Sequence, residues 1–506
     1  MKSSRAVASP RWGRAECARW GSPRSWLFVG ALLACSACKV SSEDIDYWKG
    51  TVKGPGKIVA VMQADKYSME LRTQAALALV DMERPDRDGT ADLQQALARL
   101  DEEERNQIIA GMVPGIEAMM KEADPNAAED AAKARQIRAK DAAFLLVTHA
   151  PPDAKAKLTD DVIAWYMEDF NGRSLAGNYS AEQVVRALGS PAGKELVKGL
   201  KAQMPAPALV KMSQLIGQVG DPQAKKEAAA RLVAIGNEAE SKEYLAWIRQ
   251  RVKEQAERTG QKLDPQRLEQ AAEANRANFI NDGVLPAMKW LAEDPQVKKR
   301  LHAVAASNLP GDEGTTRRVR ALQALEGKVG REDLQPLLAL ATDKQTPTAV
   351  RDYAFDRVGD IRSPEAVREL WPMMSEEPRV RWRVGELALA CGGATVVGEF
   401  FSRLPSGGEY PPEELEGYAT RLGQMSPAPM DFMRQQLGSS SWYARVIAIR
   451  FLERKGTLED VKRLEGLRSD KASVKGPRWG KINTVGDVAT EAAVAAIARL
   501  GQPGVK

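Results

Sequence analysis

The sequence predicts an all-α protein in which short antiparallel helix pairs are stacked side by side. The first observation is composition: hydrophobic residues make up 43% of the 506 residues but aromatic residues only 6%, and helix-forming Ala, Leu, Glu, Gln, Lys and Arg are abundant. The second is the absence of any alternating run of Val, Ile, Thr or Tyr long enough for a strand. The third is an internal repeat, described below, which sets the stacked arrangement.

The first 34 residues are distinct from the rest of the chain. Six basic residues precede an apolar run at 26–34, which is too short to span a bilayer permanently. The run ends in Leu32-Leu33-Ala34-Cys35, which resembles the lipobox of bacterial lipoproteins. The resemblance implies a signal peptide at 1–34 and lipid attachment at Cys35, with Cys38 as the alternative. The other interpretation is an ordinary apolar segment downstream of a misassigned start codon.

A lipoprotein signal predicts where the mature protein is located. We expect the mature protein in the cell envelope, lipid-anchored on the periplasmic side of the outer membrane and touching the membrane through the anchor only. Cysteine usage fits export without a disulfide framework, because Cys391 is the one cysteine that remains beyond the anchor region. Cys391 lies among apolar residues, so a buried inert thiol is favoured over a reactive one.

The charge balance argues against nucleic acid as a partner. Residues 1–34 contain six basic residues and one acidic residue, whereas the whole chain contains 73 and 68. The predicted mature part therefore has 67 of each and no net charge. A nucleic-acid-binding protein needs a surplus of basic residues to neutralise phosphates.

A short pattern recurs along the mature part: a basic residue followed by a small or aliphatic residue three and seven positions later. These positions share one face of a helix. The basic position is occupied by Arg72, Lys225, Arg318, Arg351, Arg381 and Arg445, with Lys140 and Lys298 in looser copies. The spacing from Arg318 to Arg351 is 33 residues, and from Arg351 to Arg381 it is 30. Two helices and two short turns fill such a unit.

Glycines mark the predicted ends of the repeated helices. A glycine follows most copies of the pattern, and glycine readily adopts the left-handed conformation that ends a helix. The predicted stops are Gly236, Gly327, Gly359, Gly392, Gly456 and Gly501. Because one helix pair is too small to bury its own apolar face, such pairs are expected to stack into a continuous core.

The unit resembles the HEAT repeat, best over residues 331–403 and loosely over 55–500, and implies an α-solenoid of HEAT-like helical hairpins. In that family an aspartate before the second helix and an arginine within it stack along the solenoid as a polar ladder. The resemblance implies this role for the pairs Asp65/Arg72 and Asp343/Arg351. Arg381 has only a looser partner in Glu377, and Arg445 has Ser440 at the acidic position, where the ladder is expected to break.

Four segments follow the predicted signal peptide. Residues 35–56 are expected to form a tether, 57–240 the N-terminal repeats and 283–506 the C-terminal repeats. Between them, residues 241–282 are predicted to form two longer, polar helices separated by Thr259-Gly260-Gln261. A longer repeat with solvated faces is favoured there over a protruding hairpin that contacts a partner.

The sequence contains no recognisable catalytic motif. His149 and His302 are the only histidines, and no His/Cys cluster has the spacing of metal ligands. We therefore expect no metal, no cofactor and no enzymatic activity.

The predicted function is that of a lipid-anchored envelope scaffold whose solenoid surface binds one or more envelope proteins of unspecified identity. The alternative is an enzyme or small-ligand carrier with a site in a groove between repeats.

Overall fold

The computed structural model describes residues 40–82, 89–121, 129–168, 170, 178–376 and 378–501. Within these ranges the chain is helical, with no strand and one isolated bridge between Ser473 and Thr484. The predicted all-α fold, an α-solenoid of HEAT-like hairpins, is confirmed. Cys35, Cys38 and Glu377 lie outside the described residues.

The N-terminal part of the stack ends at Ala239, before a hairpin of two longer helices. Its helices are α1 (Ser42–Lys49), α2 (Gly54–Met62), α3 (Met69–Asp81), α4 (Gly89–Leu97), α5 (Glu102–Lys121), α6 (Glu129–Leu146), α7 (Pro152–Glu168), α8 (Ala181–Leu188), α9 (Ser190–Gly199), α10 (Ala206–Val219) and α11 (Pro222–Ala239). Several begin with a polar side chain that accepts a hydrogen bond from the first turn, as Ser68 does for α3 and Asp221 for α11.

The hairpin consists of α12 (Lys242–Arg258) and α13 (Pro265–Phe279), which pack against each other. Ser241 and Asp264 cap their N-termini, and Gly260 in the turn has a φ of +71°. A π-helical turn, Ile280–Val284, connects α13 to α14 (Leu285–Met288). The hairpin therefore returns to the stack through an irregular turn.

The C-terminal part of the stack follows after a 3-10 turn at Lys289–Leu291. Its helices are α15 (Pro295–Ala305), α16 (Gly311–Ala324), α17 (Leu334–Thr342), α18 (Thr348–Ile361), α19 (Glu365–Leu370), α20 (Pro378–Gly392), α21 (Val397–Arg403), α22 (Pro412–Gly423), α23 (Met430–Gln436), α24 (Trp442–Lys455), α25 (Leu458–Gly466) and α26 (Val485–Leu500).

Neighbouring helices form two rows. In the first row α3, α5, α7, α9, α11 and α15 contact one another in that order. In the second row α10, α14, α16, α18, α20, α22, α24 and α26 do the same. The 64-residue gap between Arg381 and Arg445 thus contains one additional second-row helix, α22, so the repeat continues through it.

A single hydrophobic cluster runs along the described stack from Ile45 to Ala493. Fully buried side chains such as Ile58, Leu322 and Ile447 lie in it between the helices of successive pairs. The segment Pro378–Arg403 is apolar and long enough, by composition, to cross a membrane. It contains the buried Arg381, and α20 within it packs between α18 and α22.

Two of the predicted helix stops are wrong. Gly236 lies inside α11 and Gly359 inside α18, where both contact another helix. A Cβ on Gly359 would stand 2.8 Å from Leu387 Cδ2, and one on Gly236 would stand 3.4 Å from Met288 Cε. Gly359 therefore allows close packing between helices, whereas the contacts at Gly236 are near ordinary van der Waals distance. The left-handed position after α18 is taken by Arg362, whose φ is +52°.

Residues 42–56, predicted as part of a tether, are instead mostly helical. Ile45 of α1 is fully buried against the stack, and Lys49 forms an ion pair with Asp81 of α3 at 2.9 Å. Gly54, also within the predicted tether, begins α2, where a Cβ would stand 1.8 Å from the Trp48 carbonyl oxygen. The apolar residues of this segment fold onto α2 and α3 because they complete the first repeat.

Candidate interaction surfaces

A buried arginine in the second helix of a repeat links that repeat to the next one. Arg72 Nε donates to the carbonyl of Met62, the last residue of α2, at 2.8 Å, and its Nη1 lies 2.8 Å from Glu104 of α5. Arg351 repeats the arrangement, with Nε 2.9 Å from the Ala341 carbonyl and Nη2 3.3 Å from Glu376. Each arginine therefore caps a helix in its own repeat and reaches an acid of the next.

The aspartates of the predicted ladder differ in their surroundings. Asp343 accepts hydrogen bonds from Gln345 N and Thr346 Oγ1, and these bonds, with the charges of Arg318 and Arg351, lower its pKa. Asp65 is exposed, while the ion pair of Arg72 is made with Glu104. The structure thus brings Asp343 near the ladder arginines but gives Arg72 a different carboxylate.

Arg381 takes part in a buried network that sequence reasoning missed. Its Nε and Nη2 donate to the two carboxylate oxygens of Glu414 in α22, each at 2.8 Å. The Tyr418 hydroxyl lies 2.9 Å from Glu414 Oε1, and the guanidinium lies 4.2 Å from the centre of the Tyr410 ring. Burial, and then the charge of Glu414, raise the pKa of Tyr418. The repeat spacing could have located Glu414, since it lies 33 residues after Arg381.

Arg445 has an acidic partner from the following loop. Its Nε lies 2.7 Å from Asp470 Oδ2, and its Nη1 donates to the Ser439 carbonyl at 2.5 Å. Farther along the same loop, the indole Nε1 of Trp479 donates to the Tyr410 carbonyl at 2.9 Å. The loop between α25 and α26 therefore contacts both α24 and the segment that precedes α22.

A buried lysine occupies the corresponding place in the N-terminal part. Lys140 Nζ of α6 lies 2.5 Å from Asp141 Oδ1 and 2.8 Å from the Tyr166 hydroxyl. Burial lowers the pKa of Lys140, although the Asp141 carboxylate acts in the opposite direction. Asp141 Oδ2 accepts from Asn178 N at 3.0 Å, so the network holds the chain where it enters α8.

Ion pairs connect second-row helices with one another and with the π-helical turn. Arg320 of α16 reaches Asp282 at 3.1 Å, and Arg383 of α20 pairs with Asp356 of α18. Arg450 of α24 lies 3.5 Å from Glu416 of α22 and 3.3 Å from Glu491 of α26. These contacts balance positive with negative charge, in keeping with the absence of net charge in the predicted mature part.

The histidines and the cysteine are separate in the fold. His302 Nε2 lies 2.8 Å from Asp333 Oδ1, whereas His149 is exposed. Across the ranges that the structure covers, no group of three or more His, Cys, Asp or Glu side chains is placed to hold a metal ion. Cys391 is buried, and burial raises the pKa of its thiol to about 11.

A pocket of about 350 Å³ lies where the hairpin joins the stack. It is bounded by the end of α13, the π-helical turn, α15 and α16, and its lining contains three arginines, Arg276, Arg300 and Arg317. We call it the junction pocket.

The comparisons with known proteins give only distant structural similarity. No protein-family model and no curated protein matches the chain. An engineered protein is 16% identical, with 89% of this chain and 99% of that chain covered and a TM-score of 0.24. The karyopherin Kap121p bound to the extreme C-terminus of the phosphatase Cdc14p is 11% identical, with a TM-score of 0.28. Kap121p bound to Nup53p is 10% identical, with a TM-score of 0.25.

In both karyopherin comparisons 91% of this chain is covered, but the chain spans only about half (50%) of the karyopherin. TM-scores this low support no conclusion about function.

Proposed function

We propose that the protein is a non-enzymatic, lipid-anchored scaffold of the cell envelope, which binds another envelope protein through the surface of its solenoid. The main support is the continuous core from Ile45 to Ala493, which holds two rows of helices as one extended object. Extended solenoid surfaces suit the binding of protein partners.

The N-terminal end of the stack is a suitable place for an anchor. Six residues separate Cys35 from Ser42, the first residue of α1. Fully extended, this stretch of chain reaches roughly 25 Å, so an anchored stack begins close to the bilayer. The same end exposes Tyr47 (73%) and Val52 (81%), two apolar side chains that suit a membrane interface.

The anchor is tested by replacing the lipidated cysteine. Cys35→Ala should abolish incorporation of a labelled fatty acid and move the protein from the membrane to the soluble envelope fraction. Cys38→Ala is the matched control and should leave both readouts unchanged. Unchanged lipidation in both single variants and in the double variant would contradict the anchor.

The scaffold is tested by site-specific photo-crosslinking in the native organism. A crosslinking amino acid is placed at Thr420 on the second row, at Glu369 of α19 or at Gln261 in the hairpin turn, all of them exposed. A discrete envelope protein captured at one position, and not at the others, would identify the binding face. The absence of a discrete product at every position would contradict the scaffold.

A further inference from the structure

The junction pocket combines positive charge with apolar surface. Arg276 comes from α13, Arg300 from α15 and Arg317 from α16, so three separate helices each contribute one guanidinium. Ile280 and Val304 contribute apolar surface to the same lining. Three separate helices thus meet around one cavity that has arginine and aliphatic side chains in its lining.

The lining contains more positive than negative charge. Glu240, whose Oε2 lies 2.5 Å from Arg300 Nη2, is the acidic residue of the lining. Arg276 and Arg317 pair with Glu273 and Glu313, but neither of these carboxylates lines the pocket. The side chains of Glu273 and Glu313 are 43% and 58% exposed, so solvent screens their ion pairs with Arg276 and Arg317.

Arg317 has an unused hydrogen-bond donor. The residue is 8% exposed, and its Nη2 donates to Glu313 at 2.7 Å. Its buried Nε has no hydrogen-bond partner among the residues that the structure describes. The buried Nε of Arg320 is unpaired as well, but Arg320 does not line the junction pocket, so Arg317 differs in that its free donor belongs to a side chain at the cavity.

The rim and one wall of the pocket also differ from the regular stack. Leu309, in the loop before α16, lines the pocket and is 41% exposed. Ile280 begins the π-helical turn that connects the hairpin to the stack. Such turns are energetically poorer than regular helix and occur frequently at functional sites.

We propose that the junction pocket binds a carboxylate carried on a small apolar group. The carboxylate pairs with Arg276 and Arg317, satisfying the free Nε of Arg317, while the apolar group contacts Ile280, Val304 and Leu309. Guanidinium groups match carboxylates in shape and charge. A cavity of about 350 Å³ is near the lower end of ligand pockets and suits one or two amino-acid residues. Such a group occurs at the C-terminus of a protein chain and in a small free acid. The proposal does not depend on the lipid anchor or on the scaffold function.

The test measures binding of defined probes to the full-length protein in detergent by isothermal titration calorimetry. The probes are N-acetyl-leucine, its uncharged amide, the dipeptide acetyl-alanyl-leucine with a free carboxylate, and inorganic phosphate. N-acetyl-leucine should bind at least about tenfold more tightly than its amide, a difference that corresponds to 1.4 kcal/mol. If the dipeptide binds more tightly than N-acetyl-leucine, the natural ligand is the C-terminus of a protein chain. If the two bind equally, the natural ligand is a small free acid.

Variants locate the binding. Arg276→Gln and Arg317→Gln should each weaken N-acetyl-leucine by about tenfold or more. The matched control is Arg320→Gln, also on α16, which pairs with Asp282 and does not line this pocket. Arg276 lies on the partly exposed hairpin, so its variant keeps the test valid if Arg317→Gln does not fold. The proposal would be overturned if N-acetyl-leucine and its amide bound equally, if phosphate bound more tightly than N-acetyl-leucine, or if no probe bound. Unchanged binding of N-acetyl-leucine by Arg276→Gln would overturn it too.

Discussion

Two arginine–glutamate pairs with nearly the same geometry occur in two very different parts of the molecule. Arg381 and Glu414 connect α20 to α22 through two hydrogen bonds of 2.8 Å. Arg249 and Glu269 connect the two helices of the hairpin through bonds of 2.7 and 2.8 Å. The first pair has side chains 5% and 0% exposed, whereas the second has side chains 41% and 44% exposed.

The difference in exposure determines what each pair does. Water solvates the hairpin pair before and after folding, so its net contribution to stability is small. The Arg381–Glu414 pair has lost its water, and each charge depends on the other for its stabilisation. The packing of α20 on α22 therefore depends on its buried charge pair, whereas the hairpin depends little on its exposed pair.

The largest expected effect comes from removing one buried charge. Glu414→Ala leaves the Arg381 guanidinium buried without its carboxylate and should destabilise the C-terminal repeats by about 3–5 kcal/mol. Urea unfolding, with hydrogen exchange in α20 and α22 as a local readout, measures the loss. The double variant Arg381→Met/Glu414→Leu removes both charges and should be markedly more stable than Glu414→Ala. Equal stability of Glu414→Ala and the wild type would abolish the distinction between the two regions.

Acid should weaken a second buried contact of the C-terminal part. Asp460 accepts from Arg434 at 2.8 and 3.0 Å, and this pairing, with the Thr457 cap, lowers the pKa of Asp460 to about 2. Because the folded-state pKa lies below the unfolded one, the stabilisation is present above pH 4 and lost as pH falls from about 4 to 2. The loss should be about 2 kcal/mol.

The control for the acid experiment is Asp460→Asn, followed by urea unfolding at several pH values. It should be less stable than the wild type at neutral pH and should lose less stability between pH 4 and 2. A variant with the full acid dependence of the wild type would show that Asp460 is not the responsible group.

Shortening the hairpin should have a much smaller effect. Residues 250–268 are replaced by a short Gly-Ser loop that joins Arg249 to Glu269, whose side chains already meet. The base of the hairpin stays, with Tyr244 donating to the Ala202 carbonyl at 3.0 Å. The free energy of unfolding should change by about 1 kcal/mol or less. Thermal unfolding measures this, and a protein that no longer folds would mean that the hairpin is part of the cooperative stack.

The smallest effect is expected for the exposed pair itself. Arg249→Ala should lower stability by about 0.2–1 kcal/mol, and less at high salt, because the pair is solvated. Urea unfolding at low and high salt provides the measurement, with Glu414→Ala as the reference. A loss comparable to that of Glu414→Ala would show that exposure does not separate the two pairs.

Much of the architecture follows from local sequence. The spacing of Arg318, Arg351 and Arg381 predicts second-row helices in register, and the structure buries all three arginines there. Asp264 and Pro265 predict the start of α13 in the same way. Such features depend on residues close together in the chain, which is why a single sequence reveals them.

The candidate sites could not be predicted in the same way. Arg276, Arg300 and Arg317 belong to three helices, and no local pattern indicates that they share a cavity. The repeat spacing points to the position of Glu414, but its pairing with Arg381 is visible only in the structure.

The sequence by itself determined that this protein is helical, repetitive and free of net charge in its predicted mature part. Composition can be counted directly, and helical periodicity reflects interactions between residues that are close together in the chain. Only the tertiary structure decided that Gly359 permits close packing and does not end a helix, that α1 completes the first repeat, and that three arginines meet at the hairpin. These outcomes depend on which surfaces come together, and burial then determines whether a charge or a glycine matters to stability.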